Sequence, residues 1–171
     1  MNHRREVVEE ALREWPGAFG LAFHLLHDRA RAEDVCQEVL LGLLSAARPP
    51  QTDRPLRALI LRMVRNRALS ELRRERPGSL DDDEVGPLAD AASPDPLDEA
   101  SRREEAVAVE TALARLPAAW RAMLYLREGL DLSYAEIAEV LERDVDVVRV
   151  TLHRARRRAR RLLGSLKGDP T

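Results

Sequence analysis

The chain has 171 residues, of which 44% are hydrophobic, 34% charged and only 4% aromatic. This length suits one ordinary domain or two small ones, and cores that must rest on Leu, Val and Ala favour helices over sheets. The single cysteine excludes an intrachain disulfide and a cysteine-based zinc site, while the net charge of −2 by itself excludes no partner.

The charges are distributed unevenly along the chain. Residues 77–103 carry eight acidic residues against two arginines, whereas residues 1–76 and 104–171 are slightly basic. Residues 1–10 are too charged for a signal peptide, and no apolar run approaches the ~20 residues that a membrane span needs. We therefore expect a cytoplasmic protein without a membrane span, in which two basic blocks flank an acidic insert.

The N-terminal block, from about Val7 to Arg76, follows a helical pattern. The proline-rich loop 48–55 interrupts it, because proline cannot continue a helix interior. A strong helix follows the loop, with one predicted buried stripe and arginines on its other faces. The stripe consists of Leu56, Leu59, Ile60, Met63 and Val64.

Residues 77–100 show neither helical nor strand periodicity and hold four of the ten prolines. Their composition indicates a flexible acidic linker. Helical periodicity resumes near Arg102 and continues, with breaks, to about Leu163. The fold class predicted is all-α, with two small helical bundles (residues 1–76 and 104–171) joined by the flexible acidic linker 77–103.

The end of the chain predicts a helix-turn-helix. Ser133 and Glu136 form a capping-box pattern that opens a short helix, and Asp144 is a suitable N-cap for a longer last helix. Between Arg149 and Arg161 there are seven arginines and no acidic residue. Such a helix can lie in the major groove and neutralise phosphates. The predicted DNA-contacting residues are Arg149, Val150, His153, Arg154 and Arg157.

Four segments, in register, resemble the extracytoplasmic-function sigma factors of bacterial RNA polymerase. Residues 32–39 (AEDVCQEV) are similar to the family's AEDVxQEVF, and residues 63–74 to its IARNxAxDxxRR helix. Residues 116–138 resemble LPxxxRxxxxLxxxxxxSYxEIA, and residues 152–156 read LHRAR. The similarity spans most of residues 18–163, with the variable linker where the family has one.

The resemblance implies partners and site residues. Asp34, Gln37 and Glu38 would bind the core polymerase at the β′ clamp, while the C-terminal bundle would sit on the β flap and read the minus-thirty-five element. The acidic linker would thread the RNA exit region, and an anti-sigma factor would be a regulatory partner. The loop 48–55 and the helix after it would capture the unpaired minus-ten element of promoter DNA, through Arg62, Arg65, Asn66, Arg73 and Arg74.

Several positions depart from the family pattern. The helix before Asn66 lacks the usual tryptophan, and the aspartate expected at position 70 is a serine. The usual turn GVS is replaced by residues 142–144 (ERD), and the recognition helix begins with Asp146 and the apolar Val147 and Val150. These valines could meet thymine methyl groups or a protein.

Two other functions stay open at this stage. A sigma mimic would titrate an anti-sigma partner without reading a promoter, and a conventional helix-turn-helix regulator would bind duplex DNA without polymerase. An enzyme is not expected, because no phosphate loop or catalytic set is visible. His24 and His27 have a spacing that metal sites also use, but no third ligand recurs nearby, so no metal or cofactor is expected.

Overall fold

The computed structural model describes residues 2–45, 56–75 and 100–166, all of which belong to helices or to the short turns between them. The N-terminal unit consists of α1 (Asn2–Leu26), α2 (Arg29–Ser45) and α3 (Leu56–Glu75). The C-terminal unit consists of α4 (Ala100–Ala114), α5 (Ala118–Leu124), a π-helical turn (Tyr125–Gly129), α6 (Tyr134–Leu141) and α7 (Val145–Leu166).

Local signals explain where the first helices begin and end. α1 ends at Leu26, and the next residue, His27, takes the left-handed conformation with φ 53° and donates its amide to the carbonyl of Phe23 at 2.7 Å. The carboxylate of Asp28 then accepts the amide of Arg31 at 3.1 Å, so it acts as the N-cap of α2. Pro16 lies inside α1 at an exposed position, where its missing amide leaves a carbonyl that water can reach.

The predicted stripe of α3 is correct in part. Ile60 and Val64 are buried as expected, but Leu61 is fully buried as well, and Leu59 is only half-buried. The reason is that α3 packs against α1 and α2 on one side and against α6 on another, so it has a second apolar face. A single periodic stripe underestimates the number of buried residues in a helix that has neighbours on two sides.

The helix-turn-helix forms as predicted. The hydroxyl of Ser133 accepts the amide of Glu136 at 3.2 Å, and the carboxylate of Glu136 accepts the amide of Ser133 at 2.7 Å, which completes the capping box. α7 starts directly after Asp144. The predicted linker 77–103 overlaps the start of α4 at Ala100, and the rest of the linker lies outside the described residues.

The two helical units are packed against each other. Their buried side chains form one continuous cluster, which runs from Ala11 in α1 to Ala155 in α7. The buried guanidinium of Arg121 in α5 crosses between the units, where it donates to the carbonyl of His24 at 2.8 Å and to that of Leu116 at 2.6 Å. The sequence left the relative orientation of the units open, and the structure places them side by side.

Candidate nucleic-acid interface

Three fully buried residues fix the orientation of α7, namely Val148, Leu152 and Ala155. They belong to the stripe that the sequence predicted, and because helical side chains three and four apart share one face, they turn the opposite face to solvent. Every residue predicted to contact minus-thirty-five DNA is exposed on that face: Arg149, Val150, His153, Arg154 and Arg157.

The N-terminal turn of α7 combines charge with exposed apolar surface. Arg149 donates to the carboxylate of Asp146 at 3.1 Å, and both side chains remain largely exposed. Val145, Val147 and Val150 are also exposed. A guanidinium can pair with guanine, and an apolar side chain can contact a thymine methyl, so this turn has the chemistry that base reading requires.

Not every arginine of α7 faces outward. Arg156 lies on the inner side of the helix and donates to the carboxylate of Glu128 at 2.9 and 2.6 Å. Hydrogen bonds to Tyr134 and Glu128 raise its pKa. Arg156 therefore holds α7 on the π-helical turn, whereas Arg154 and Arg157 are directed to solvent.

The turn between α6 and α7 contains a residue in a left-handed conformation. Glu142 has φ 53°, and the amide of the next residue, Arg143, reaches back to the carbonyl of Ala138 at 3.0 Å. This is the closing bond of a Schellman helix end, for which glycine is the usual residue. A non-glycine residue in this conformation costs about 1–2 kcal/mol. The family pattern has glycine here, so the departure noted in the sequence falls on the one strained position of the turn.

The carboxylate of Glu142 lies against the predicted minus-ten helix. It is 3.3 Å from the guanidinium of Arg65 and 3.9 Å from that of Arg62. Arg65 also donates to the side-chain oxygen of Asn66 at 3.0 Å. Burial lowers the pKa of Arg65, and Glu142 acts in the opposite direction. The structure thus brings together Arg62, Arg65 and Asn66, and adds Glu142, which sequence reasoning did not include.

The other two residues predicted for the minus-ten element lie apart from this group. Arg73 and Arg74 are exposed in the last turn of α3, about two helical turns beyond Asn66. Near this end Arg31 of α2 forms an ion pair with Glu75 at 2.9 Å. The loop 48–55, which was predicted to help capture the strand, lies outside the described residues.

The predicted polymerase-binding residues lie on one exposed face of α2. Asp34 and Gln37 are exposed, and Leu41, one turn further along, is exposed to 64%. Glu38 is exposed too, but it forms a bidentate ion pair with Arg67 of α3, and this hydrogen bonding lowers its pKa. Leu41 lies outside the buried stripe of α2 and was not among the residues predicted from the sequence.

His24 lies in the last turn of α1, and His27 follows the helix. The ring of His24 lies against that of Tyr125 in a tilted arrangement, with 4.6 Å between centroids. Burial, then the nearby Arg121, lower the pKa of His24 to about 4, so its imidazole is neutral. Within the parts of the chain that the structure describes, no group of three or more potential ligands could hold a metal ion, and no helix is long and apolar enough to cross a membrane.

Comparison with known families finds two matches, in chain order. Residues 13–77 match the model of Sigma-70 region 2, and residues 106–158 match that of Sigma-70, region 4. The first range falls on α1–α3 and the second on α4–α7, and together they cover more than half of the chain.

Two solved structures are similar over nearly the whole chain. One is the sigma factor RpoE in complex with the anti-sigma factor NepR from Bartonella quintana, with 23% identity and a TM-score of 0.69 over 95% of this chain and 97% of that one. The other is CnrH in complex with the cytosolic domain of CnrY, with 22% identity and a TM-score of 0.67 over 94% of this chain and 89% of that one. At this identity the likeness shows the fold alone.

Proposed function

The chain belongs to the sigma-70 family and is a sigma factor of the extracytoplasmic-function type, which initiates transcription with RNA polymerase, and we propose which of its surfaces carry each step. The observation that carries the proposal is the match of regions 2 and 4, in that order, to its two helical units. In this proposal the chain is a promoter-reading subunit that works in the cytoplasm and catalyses no reaction itself.

The exposed face of α2 is the proposed polymerase contact. Asp34 and Gln37 offer polar groups for the β′ clamp, and Leu41 adds apolar surface beside them. The buried centre of a protein interface is more apolar than its polar rim. Glu38 takes part from a position fixed by Arg67, so its carboxylate is oriented before the polymerase arrives.

The basic side of α3 is the proposed minus-ten surface. Arg62, Arg65 and Asn66 would meet the unpaired strand, and Arg73 and Arg74 would bind its phosphates. A basic helix can track a single strand, but base stacking contributes little here because the described part of α3 carries no aromatic residue. The loop 48–55 completes this surface in the proposal.

The outer face of α7 is the proposed minus-thirty-five reader, with the C-terminal unit seated on the β flap. Arg149 and Val150 would contact base edges, while His153, Arg154 and Arg157 would contact phosphates. The two similar structures are both complexes, one of them with an anti-sigma factor. We propose that an anti-sigma factor also binds this chain.

The decisive experiment is run-off transcription with core polymerase on a library of promoters, in the presence and absence of the protein. Leu41→Asp is expected to abolish both binding to core polymerase and new start sites. Leu12→Asp is the matched control, because Leu12 is a similarly exposed leucine on α1 with no proposed role. Binding to a protein partner without any start site would instead favour the sigma mimic.

A further inference from the structure

We propose that Asp146 determines specificity at the minus-thirty-five reader, by positioning the guanidinium of Arg149 so that the pair selects a guanine in promoter DNA. Asp146 is a positioning residue, because it acts through Arg149. The inference rests on the proposed function, since it requires the outer face of α7 to meet base edges. Asp146 is one of the positions at which the recognition helix departs from the family pattern, so the pair is a feature of this chain.

The start of α7 favours an acidic side chain at position 146. Asp146 is the acidic residue of the first turn of α7. A carboxylate is stabilised there, because the unpaired amide groups and the helix dipole make a helix N-terminus positive. The side chain of Asp146 is 87% exposed, so packing of the core does not explain its presence. The carboxylate thus stands at a defined place on the helix and is open to a partner.

The contact between the two side chains leaves most of the guanidinium available. Arg149 donates from Nη1 to the carboxylate of Asp146 at 3.1 Å, and its side chain is 61% exposed. A guanidinium carries further donors in the same plane, on Nη2 and Nε, which can form the paired hydrogen bonds that guanine accepts. Holding one corner of this planar group restricts the rotations that a free arginine would lose on binding.

The carboxylate also directs the guanidinium toward the middle of the reading face. Each residue of an α-helix turns by about 100°, so Arg149 projects about 100° from the buried Val148, whereas Asp146 projects about 160° from it. Arg149 therefore starts at the border of the outer face and Asp146 close to its centre. The hydrogen bond between them draws the guanidinium from that border toward the region that would enter the groove.

The charge of the pair favours a base edge over a phosphate as its target. The carboxylate of Asp146 offsets the positive charge of Arg149, so the pair attracts a phosphate only weakly. Its donors still distinguish the bases, because guanine presents acceptors at both N7 and O6, while adenine replaces one of these with a donor. Val150, exposed to 49% beside the pair, adds apolar surface that suits a base edge and not a phosphate.

The test uses holoenzyme formed from core polymerase and the full chain. The templates are promoters with a randomised minus-thirty-five segment and a barcode in the transcribed region, so that sequencing the transcripts gives the yield of each upstream sequence. The wild type is expected to prefer guanine at one position by about tenfold, as one bidentate arginine contact would produce. Arg149→Ala should abolish this preference and thereby identify the position.

Asp146→Asn should reduce the same preference to about threefold, because binding to guanine must then order a freely rotating arginine. The double variant should show the preference of Arg149→Ala alone, since Asp146 acts only through Arg149. Asp146→Glu should stay closer to the wild type, because its carboxylate can still reach the guanidinium. The preference is a ratio within one preparation, so a variant that folded less well would lower all yields and leave the ratio unchanged.

Asp131→Asn is the matched control. Asp131 forms an exposed ion pair with Arg127 at 3.4 Å in the same unit, so the change removes the same charge from a similar pair. Asparagine also tolerates the left-handed backbone at this position, where φ is 53°. The guanine preference should be that of the wild type.

Three results would overturn the inference and leave the promoter role intact. The first is a wild-type guanine preference in Asp146→Asn, or none in the wild type itself. The second is a change in yield that is uniform across sequences, which would assign Asp146 to helix stability or to repulsion of phosphate. The third is loss of preference at a position other than that of Arg149, which would mean that Asp146 contacts a base directly, as a carboxylate does with cytosine. Absence of any start site with the wild type would overturn the proposed function, and this inference with it.

Discussion

The seam between the two helical units and the outer face of α7 are both rich in arginine, but the arginines have opposite surroundings in the two places. Arg57, Arg65 and Arg121 lie in the seam, at least partly buried, where they bind backbone carbonyls or carboxylates. Arg154 and Arg157 lie on the outer face, exposed to solvent. All but one of the 28 basic residues are arginine, so residue type alone does not distinguish a structural cation from a DNA-binding one.

The difference arises from what surrounds each guanidinium. A buried arginine must satisfy its donors within the protein, because leaving them or their acceptors unpaired costs more than the hydrogen bonds contribute. An exposed arginine keeps its donors in water and can exchange them for phosphate oxygens, with release of counterions. The contacts in the seam thus depend on fixed hydrogen-bond geometry, while phosphate binding at the proposed DNA-reading face would depend on charge and salt concentration.

Arg121→Met should produce the largest effect. The change keeps much of the volume but leaves the carbonyls of His24 and Leu116 without their donor, so the free energy of unfolding should fall by about 2–4 kcal/mol. Arg157→Met, on the outer face, should change it by less than about 0.5 kcal/mol. Urea unfolding measures both, and equally small changes would mean that the seam is not formed in solution.

Acidification should weaken the seam through His24. Burial and then Arg121 and His27 lower its pKa from the ordinary 6.5 to about 4, and its ring lies against that of Tyr125 in the other unit. Above pH 6.5 the imidazole is neutral in both the folded and the unfolded chain, so its contribution is constant. Below pH 6.5 the unfolded chain binds a proton that the folded chain does not, so stability falls as the pH approaches 4.

Between pH 7 and pH 5 this histidine should cost about 1–2 kcal/mol of stability, measured by urea unfolding at each pH. Burial also lowers the pKa of His27, although Glu110 partly opposes this shift. His27 should therefore add a smaller loss of stability on acidification. His24→Gln should flatten most of the dependence. If stability fell as steeply with pH in His24→Gln as in the wild type, another group would be responsible for the pH dependence.

The outer face should show its role through salt. Arg154→Ala and Arg157→Ala should each weaken duplex DNA binding about equally across sequences and reduce the slope of log affinity against log salt by about 0.9. Arg156→Ala is the matched control, since it removes the same charge from the same helix but Arg156 is tied to Glu128. Equal slopes in all three variants would contradict the division between inward and outward arginines.

Much of the fold could be predicted from the sequence because its signals are local. The capping box at Ser133 depends on residues three apart, and the buried side of α7 depends on spacing along one helix. The exposure of the α7 residues that we propose to face DNA followed directly from that spacing. The linker 77–103 stays a prediction from composition, and its last four residues belong to α4.

The seam could not be predicted because its contacts join residues far apart in the chain. Periodicity identifies which side of a helix is buried but not which helix covers it, so the second apolar face at Leu61 was missed. Two signals were present but not used. Arg121 is surrounded by apolar neighbours in sequence, and Glu142 occupies the position where the family pattern has glycine.

Asn66→Ala should have the smallest effect and would sharpen the comparison within α3. Losing one hydrogen bond to the unpaired strand costs about 1 kcal/mol, so heparin-resistant open complexes should fall by roughly fivefold. Binding to core polymerase should not change, because the proposed polymerase face lies on α2. Gln37→Ala is the reciprocal control: it should weaken polymerase binding while each bound polymerase still opens the promoter. If Asn66→Ala reduced both quantities equally, Asn66 would act on the polymerase contact or on the seam rather than on DNA. The polar side chains of α3 would then serve the contact between the two units, as the buried arginines do.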